Sequence, residues 1–271
     1  MIKIIKMEFY DAFKCLMDKC DDNCCKENWS ISIDEETYKK YINMGLPEVE
    51  EKIRTTNPHT IIKRSGECPF ITNDGLCSIH KDYGEEFLSN TCKTYPRFVS
   101  EYKDLYIENM GLSCPAVSRW LVSLERKCKL IEQIYYESKD EKNKAYVESQ
   151  EEIIMKMIVD CFYKNDNIVD SIEACYHIFD KKCNLAIESE FRKTYSLLFQ
   201  NISICYLFER IMLQSKKENP DYISVIERLC FILEQFERKC KEICTDNLDG
   251  IDDEQIISAL YHIMRIYDHE I

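Results

Sequence analysis

Over residues 221–244 the apolar positions Ile223, Ile226, Cys230, Leu233, Phe236, Cys240, Ile243 and Cys244 recur with a helical period, and this spacing predicts an amphipathic helix. Similar stripes over 145–164, 166–180, 188–215 and 253–268 predict helices through most of the chain beyond residue 120. The last of them, IISALYHIMRIYDHE, presents Ile256, Ile257, Leu260, Met264 and Tyr267 on one side and needs a neighbour to bury them.

The first 120 residues follow a different pattern. Trp29, Ile31 and Ile33 alternate with polar residues and predict a short half-buried strand. Asp34 is placed to cap a helix through EETYKKYINM, with Gly45 as its stop, and Pro47 to open another short helix. CPFI and LCSIH flank Asn73-Asp74-Gly75 and predict a hairpin; RFVSEY and LYIENM around Lys103-Asp104 predict a second. Five of the six glycines and five of the six prolines lie at or before Pro115. Since both residues punctuate turns, a loop-rich first part gives way to a long-helical second part. The expected fold is mainly α with a small β component. An irregular cysteine-rich domain with short hairpins, residues 1–119, precedes an all-α helical domain, residues 120–271. There is no internal repeat.

Composition narrows the functional classes. The chain has 271 residues and a formal net charge of −13. That charge argues against a nucleic-acid binder, which carries a basic face. No stretch approaches the ~20 apolar residues of a membrane span. MIKIIKMEFYDAF is broken by Lys3 and Lys6, unlike a signal peptide. The expectation is a cytoplasmic protein without membrane or nucleic-acid partners, in which thiols stay reduced.

There are 16 cysteines. Several of the eight beyond residue 120 (Cys128, Cys161, Cys175, Cys183, Cys205, Cys230, Cys240 and Cys244) fall on apolar helix faces, where a thiol packs as a small hydrophobe. The other eight, Cys15, Cys20, Cys24, Cys25, Cys68, Cys77, Cys92 and Cys114, sit at turns and in loops. Cys20, Cys24 and Cys25 stand among Lys, Asp and Asn, a poor setting for core packing. Closely spaced thiolates in irregular chain suit zinc or an iron–sulfur cluster. Adjacent side chains diverge, so Cys24 and Cys25 are expected either to serve different irons or to divide ligation and packing between them. His80, three residues after Cys77, reads as structural. Arg97 suits bidentate carboxylate binding or, alternatively, the anchoring of its own loop.

In order, FKCLMDKCDDNCCKENWSISID, CPFITNDGLCSIHKDYGEEFLSNTCKTYPR and LSCPA resemble the flagellin lysine-N-methylase family, whose cysteine-rich part is related to a wider group of zinc- or iron-chelating domains. The resemblance covers about residues 9–120 and implies methyl transfer from S-adenosylmethionine to lysines of flagellin. It also implies an iron–sulfur cluster, of the 4Fe-4S type, on some of the eight N-terminal cysteines: Cys20, Cys24 and Cys25 first, then Cys68, Cys77, Cys92 and Cys114, with Cys15 last. As a carboxylate binder, Arg97 would meet the cofactor's amino-acid end or an acid of flagellin. No G-x-G occurs anywhere, so a glycine-rich dinucleotide-type loop is not expected. Tyr95, Tyr102, Tyr106 and Glu108 are candidates to take the lysine proton. Family members are generally longer, so either another helix of this chain covers the last one or the chain is a short or truncated relative. The alternative function is a non-enzymatic zinc- or iron-binding structural or interaction module.

Overall fold

The computed structural model describes residues 1–267 apart from 21, 28, 47, 64–65, 137–145, 184–188, 215 and 244–250. The opening IKIIKM, which carried no strand expectation, forms β1 (Ile2–Met7) at the interior of a four-stranded sheet. Its neighbours are β6 (Leu105–Met110), parallel, and β7 (Leu130–Tyr135), antiparallel; β5 (Arg97–Tyr102) closes the other edge as a hairpin with β6. RFVSEY and LYIENM thus pair as their alternation predicts, with Lys103 at positive φ in the turn. The strand β7 is a second departure from the sequence reading, because it interrupts the expected run of helices.

Residues group by contact into two units, one comprising 1–13 with 96–271 and the other 14–95. The 119/120 position of the sequence boundary falls inside a helix, α5 (Pro115–Val122), with Pro115 at its first turn.

In the larger unit one face of the sheet carries Ile5, Met7, Leu105 and Ile107, all buried. Against β5 and β6 packs α9 (Ser196–Gln214), buried at every residue from Phe199 to Glu209. A helix apolar on only one side cannot be enclosed this way; this one has neighbours all round. They are α5, α6 (Gln150–Lys164), α7 (Ile168–Ile178), α8 (Glu190–Thr194) and α10 (Tyr222–Ile243). Its polar side chains are satisfied inside: Asn201 Oδ1 accepts from Cys128 N at 2.7 Å, and its Nδ2 donates to Arg126 O at 3.0 Å. The closing helix α11 (Asp253–Tyr267) packs on α10 and α5, which bury Ile256, Ile257, Leu260 and Met264. The last helix is therefore covered by this chain.

The smaller unit is built from less. A three-stranded sheet runs in the order β2 (Ser32–Ile33), β4 (His59–Ile61), β3 (Ile53–Arg54). Asp34 caps α1 (Glu35–Asn43), accepting from Thr37 N at 2.9 Å, and Gly45 ends it at positive φ. A short α2 (Val49–Lys52) follows; Pro47 lies outside the described residues. The expected CPFI/LCSIH hairpin forms only one bridge, Ile71 to Cys77. Residues 78–83 turn instead into α3 (Ser78–Tyr83), because the Gly75 turn closes on Thr72 and leaves Cys77 at a helix start. Then comes α4 (Asn90–Thr94), capped by Ser89.

Charge is buried in the sheet as well. Lys3 Nζ lies 2.6 Å from Glu152, 2.8 Å from Glu132 and 3.3 Å from Glu148. Burial pulls its pKa down, but hydrogen bonds to Glu132 and Glu152 prevail and hold it above that of an ordinary lysine. Lys3→Ala is expected to cost about 3–5 kcal/mol in urea unfolding, because it strips the buried Glu152 of its nearest cation. Lys156→Ala, at the exposed side of the same network, should cost about 1 kcal/mol or less. The pH profile carries the same signature. With its folded pKa raised, Lys3 stabilises fully below its unfolded value of 10.5, and this contribution fades as pH rises through the folded value. Glu132 and Glu148, held below 4.5 by Lys3 and Lys156, stabilise above that value and fade as pH falls through theirs. The alanine variant should show both slopes flattened.

Candidate metal centre

The site is assembled by backbone hydrogen bonds that tie irregular segments of the smaller unit together. Cys24 and Cys25 sit in a single 3-10 turn, capped by Asn23, whose Oδ1 accepts from Cys25 N at 2.8 Å. Asn23 Nδ2 also donates to Gly75 O at 3.0 Å, docking the turn on the 72–76 loop. Cys68 N donates to Cys25 O at 2.8 Å and brings the third thiol in. Cys77 stands at the residue before the first turn of α3, and Cys92 lies in the first turn of α4.

These placements bring the thiols into one neighbourhood. Cys25 Sγ has both Cys24 and Cys68 as hydrogen-bonding neighbours, which together with burial drive its pKa far above the usual thiol range. Cys68, on the receiving side of the same contact, is lowered to about 7, helped by Phe70 N–H and Lys63. Cys92 is pushed up to about 12 by burial, with further contributions from the charges of Cys68, Cys77 and Cys24. Cys77 is raised by burial too, against N–H groups of His80 and Ile79 that point at its sulfur. The tight turn makes both members of the adjacent pair part of this group. Cys25 touches Cys24 directly.

The remaining N-terminal cysteines lie differently. Cys15 is exposed, accepts from Met17 N at 3.4 Å and feels the charge of Cys24. Cys20 donates to Asp22 O at 3.5 Å. Cys114 belongs to the other unit, where it is buried at the start of α5. His80 contributes its backbone amide to Cys77 from within α3.

The sulfur-rich site also contains a cation that sequence reading overlooked. Lys63 Nζ donates to Glu27 O and stands 5.9 Å from the centre of the Trp29 ring. Burial lowers its pKa, while Cys68, Cys25, Cys24 and Cys92 pull in the opposite direction. Trp29 in turn packs on Tyr95 at 5.4 Å. Nothing in the sequence around Lys63 distinguishes it from a surface lysine; its place follows from the chain's return along β4 toward Cys68.

The donor set fits a soft metal. Amide hydrogens are directed at Cys15, Cys68 and Cys77, and such bonds favour thiolate over thiol. Among the described residues no three of these sulfurs lie within 4.8 Å of one another.

Outside the cysteines, Arg97 Nε and Nη2 donate to the carbonyls of Tyr10 and Phe13 at 3.1 and 3.0 Å. The guanidinium also lies over both rings. These are the contacts of an arginine that anchors its own chain segment. Tyr102, Tyr106 and Glu108 stand on the β5–β6 hairpin, and burial lifts the Glu108 carboxyl above its usual range against the pull of Lys6. Three carboxylates do converge, those of Glu132, Glu148 and Glu152, but Lys3 and Lys156 already fill the space between them. In the helical unit Cys128, Cys161, Cys175, Cys205, Cys230 and Cys240 are buried in the core and Cys183 is half-buried; Cys244 lies outside the described residues.

No protein-family model matches the chain, and no solved structure matches it. Curated relatives do. The flagellar biosynthetic protein FliU of Salmonella muenchen is 33% identical over 132 residues, a span of 43% of this chain and 75% of that protein. Lysine-N-methylases of Salmonella typhimurium and Salmonella choleraesuis are each 32% identical over 132 residues. The match spans 43% of this chain but only 32% of each of those two proteins. With three quarters of FliU covered at this identity, the chain belongs to the flagellar lysine-methylase family that includes FliU and the lysine-N-methylases.

Proposed function

We propose that the protein is a lysine-N-methylase that modifies flagellin in the cytoplasm, with S-adenosylmethionine as methyl donor and an iron–sulfur cluster held by cysteines of the 14–95 unit. The observation that carries the enzymatic reading is the 32% identity to two proteins named lysine-N-methylase. The thiol neighbourhood supports the cluster. Cys24, Cys25, Cys68, Cys77 and Cys92 would supply its ligands, with Cys15 and Cys20 nearby in the chain. Bound there, a cluster supplies Lewis-acidic or one-electron iron chemistry.

In the transfer itself a neutral lysine amine forms a nitrogen–carbon bond to the donor methyl while the carbon–sulfur bond breaks. S-adenosylhomocysteine leaves, and the proton on nitrogen passes to a base. The protein's part is to deliver the lysine unprotonated and in line.

Anaerobically prepared protein carrying iron and sulfide should transfer labelled methyl to lysine in flagellin of the same organism, read by hydrolysis and amino-acid analysis. No label in that mixture, while a full-length lysine-N-methylase labels its own flagellin in parallel, overturns the enzymatic reading. The ligand assignment has its own test in bound iron. Cys24→Ser, Cys68→Ser, Cys77→Ser and Cys92→Ser should each lose most of the iron and destabilise the smaller unit, since ligation free energy is folding free energy. Cys240→Ser, in the core of α10, should keep the iron and cost on the order of 1–3 kcal/mol for a hydroxyl placed in an apolar site. Iron lost from this last variant would contradict the division of the cysteines.

A further inference from the structure

Within the larger unit a cavity of about 80 Å³ opens where the β5–β6 hairpin meets α9 and α11. Half-buried Phe98, Arg210 and Leu213 line its mouth, and buried Asn109, Leu112 and Glu209 lie deeper. Glu209 is 9% exposed, and its carboxylate is oriented by two neutral donors. Ser100 Oγ donates to Oε1 at 3.1 Å and Asn109 Nδ2 to Oε2 at 2.9 Å. Asn109 is itself fixed, since its Nδ2 also reaches Cys205 O at 3.0 Å and its Oδ1 accepts from Met110 N.

A carboxylate offers about four acceptor positions. Two of those on Glu209 are taken, and among the described residues no lysine or arginine nitrogen pairs with it. A buried carboxylate held in place without a counter-cation is costly, and a ligand that brings a positive charge removes the cost. Arg210 does not fill that role: its guanidinium lies over the Tyr206 ring, 5.3 Å from the centre. The walls are apolar and aromatic, with the Glu209 carboxylate at the buried end and the Arg210 guanidinium at the mouth, a make-up suited to an amphipathic ligand whose charged end reaches past the mouth. The volume suits a short methylene chain rather than a nucleoside.

We propose that this cavity receives the side chain of a substrate lysine, with its ammonium against Glu209 and its methylenes along Phe98, Leu112 and Leu213. That the ligand is an alkylammonium follows from the cavity; that it belongs to a lysine rests on the methylase reading above. Glu209 then acts as a specificity-determining residue that selects the cation at binding, with Asn109 and Ser100 positioning it; the ammonium must leave this contact and lose its proton to a base before transfer.

The test is equilibrium binding to the full chain by saturation-transfer NMR, with N-acetyl-lysine methylamide and its uncharged isostere N-acetyl-norleucine methylamide as probes. The lysine probe should bind saturably and the norleucine probe at least tenfold more weakly. Glu209→Gln should weaken the lysine probe at least tenfold. Leu213→Trp, which obstructs the mouth and leaves every hydrogen bond of Glu209 in place, should weaken it similarly and guards against misfolding of the first variant. Equal binding of the two probes, wild-type affinity in both variants, or no saturable lysine binding to the wild type overturns the assignment. Binding needs no methyl donor, so the two readings fail separately. Lysine binding without methyl transfer contradicts the methylase and leaves the pocket. Methyl transfer with an unchanged KM for flagellin in both variants contradicts the pocket and leaves the methylase.

Discussion

Thiols crowded out of water impose the constraint on which the smaller unit depends. Its apolar core consists of Ile33, Tyr41, Leu46, Val49, Ile53, Phe70 and Ile79, with Cys68 among them and Cys25 and Cys77 packed against it. So small a core contributes little stability, and units of this kind usually carry a metal or covalent staples. The sulfurs occupy positions that hydrocarbon would otherwise fill, and their mutual repulsion as thiolates is relieved by protonation, which the raised pKa values of Cys25, Cys77 and Cys92 express, or by a cation. Lys63 supplies one such charge from within the chain. A bound metal cluster would supply more, and would make folding and ligation of this unit a single event.

The larger unit meets the opposite difficulty, too much polar material inside rather than too little apolar material. Its answer is pairing. Lys3 enters the middle of the sheet with Glu152 and Glu132, Arg192 reaches Glu237 at 2.6 Å between α8 and α10, and Asn201 satisfies two backbone groups beside α9. Glu209 stands apart, oriented by neutral donors alone. A fold that pairs Lys3 and Arg192 so completely makes the exception at Glu209 informative, and the exception lines a cavity.

How much of this is legible in the sequence depends on the range of the interaction. Helices α6, α7, α9, α10 and α11 lie within their stripes because a 3.6-residue period is local information. The same holds for the Asp34 cap, the Gly45 stop and the β5–β6 hairpin. What escaped was set at long range. IKIIKM becomes a strand because Leu105–Met110 and Leu130–Tyr135 lie on either side of it, and its lysines look like solvent residues until Glu132 and Glu152 arrive. LCSIH alternates like a strand, yet the turn at Gly75 leaves Cys77 at the head of α3. In the site, cysteine density singled out all eight N-terminal cysteines, Cys15, Cys20, Cys24, Cys25, Cys68, Cys77, Cys92 and Cys114. It could not foresee that Cys114 groups with the larger unit and the other seven with the smaller one. Lys63 and Glu209 left no sequence signal, because each is defined by what surrounds it.

Whether the thiols of the 14–95 unit hold one iron site is a question of where iron sits in the protein. Anomalous diffraction from crystals of anaerobically purified protein, recorded on both sides of the iron absorption edge, addresses it directly. An iron peak bounded by Cys24, Cys25, Cys68, Cys77 and Cys92 is expected. A peak that appears only above the zinc edge, or iron bound elsewhere with these five sulfurs left as thiols, would contradict it.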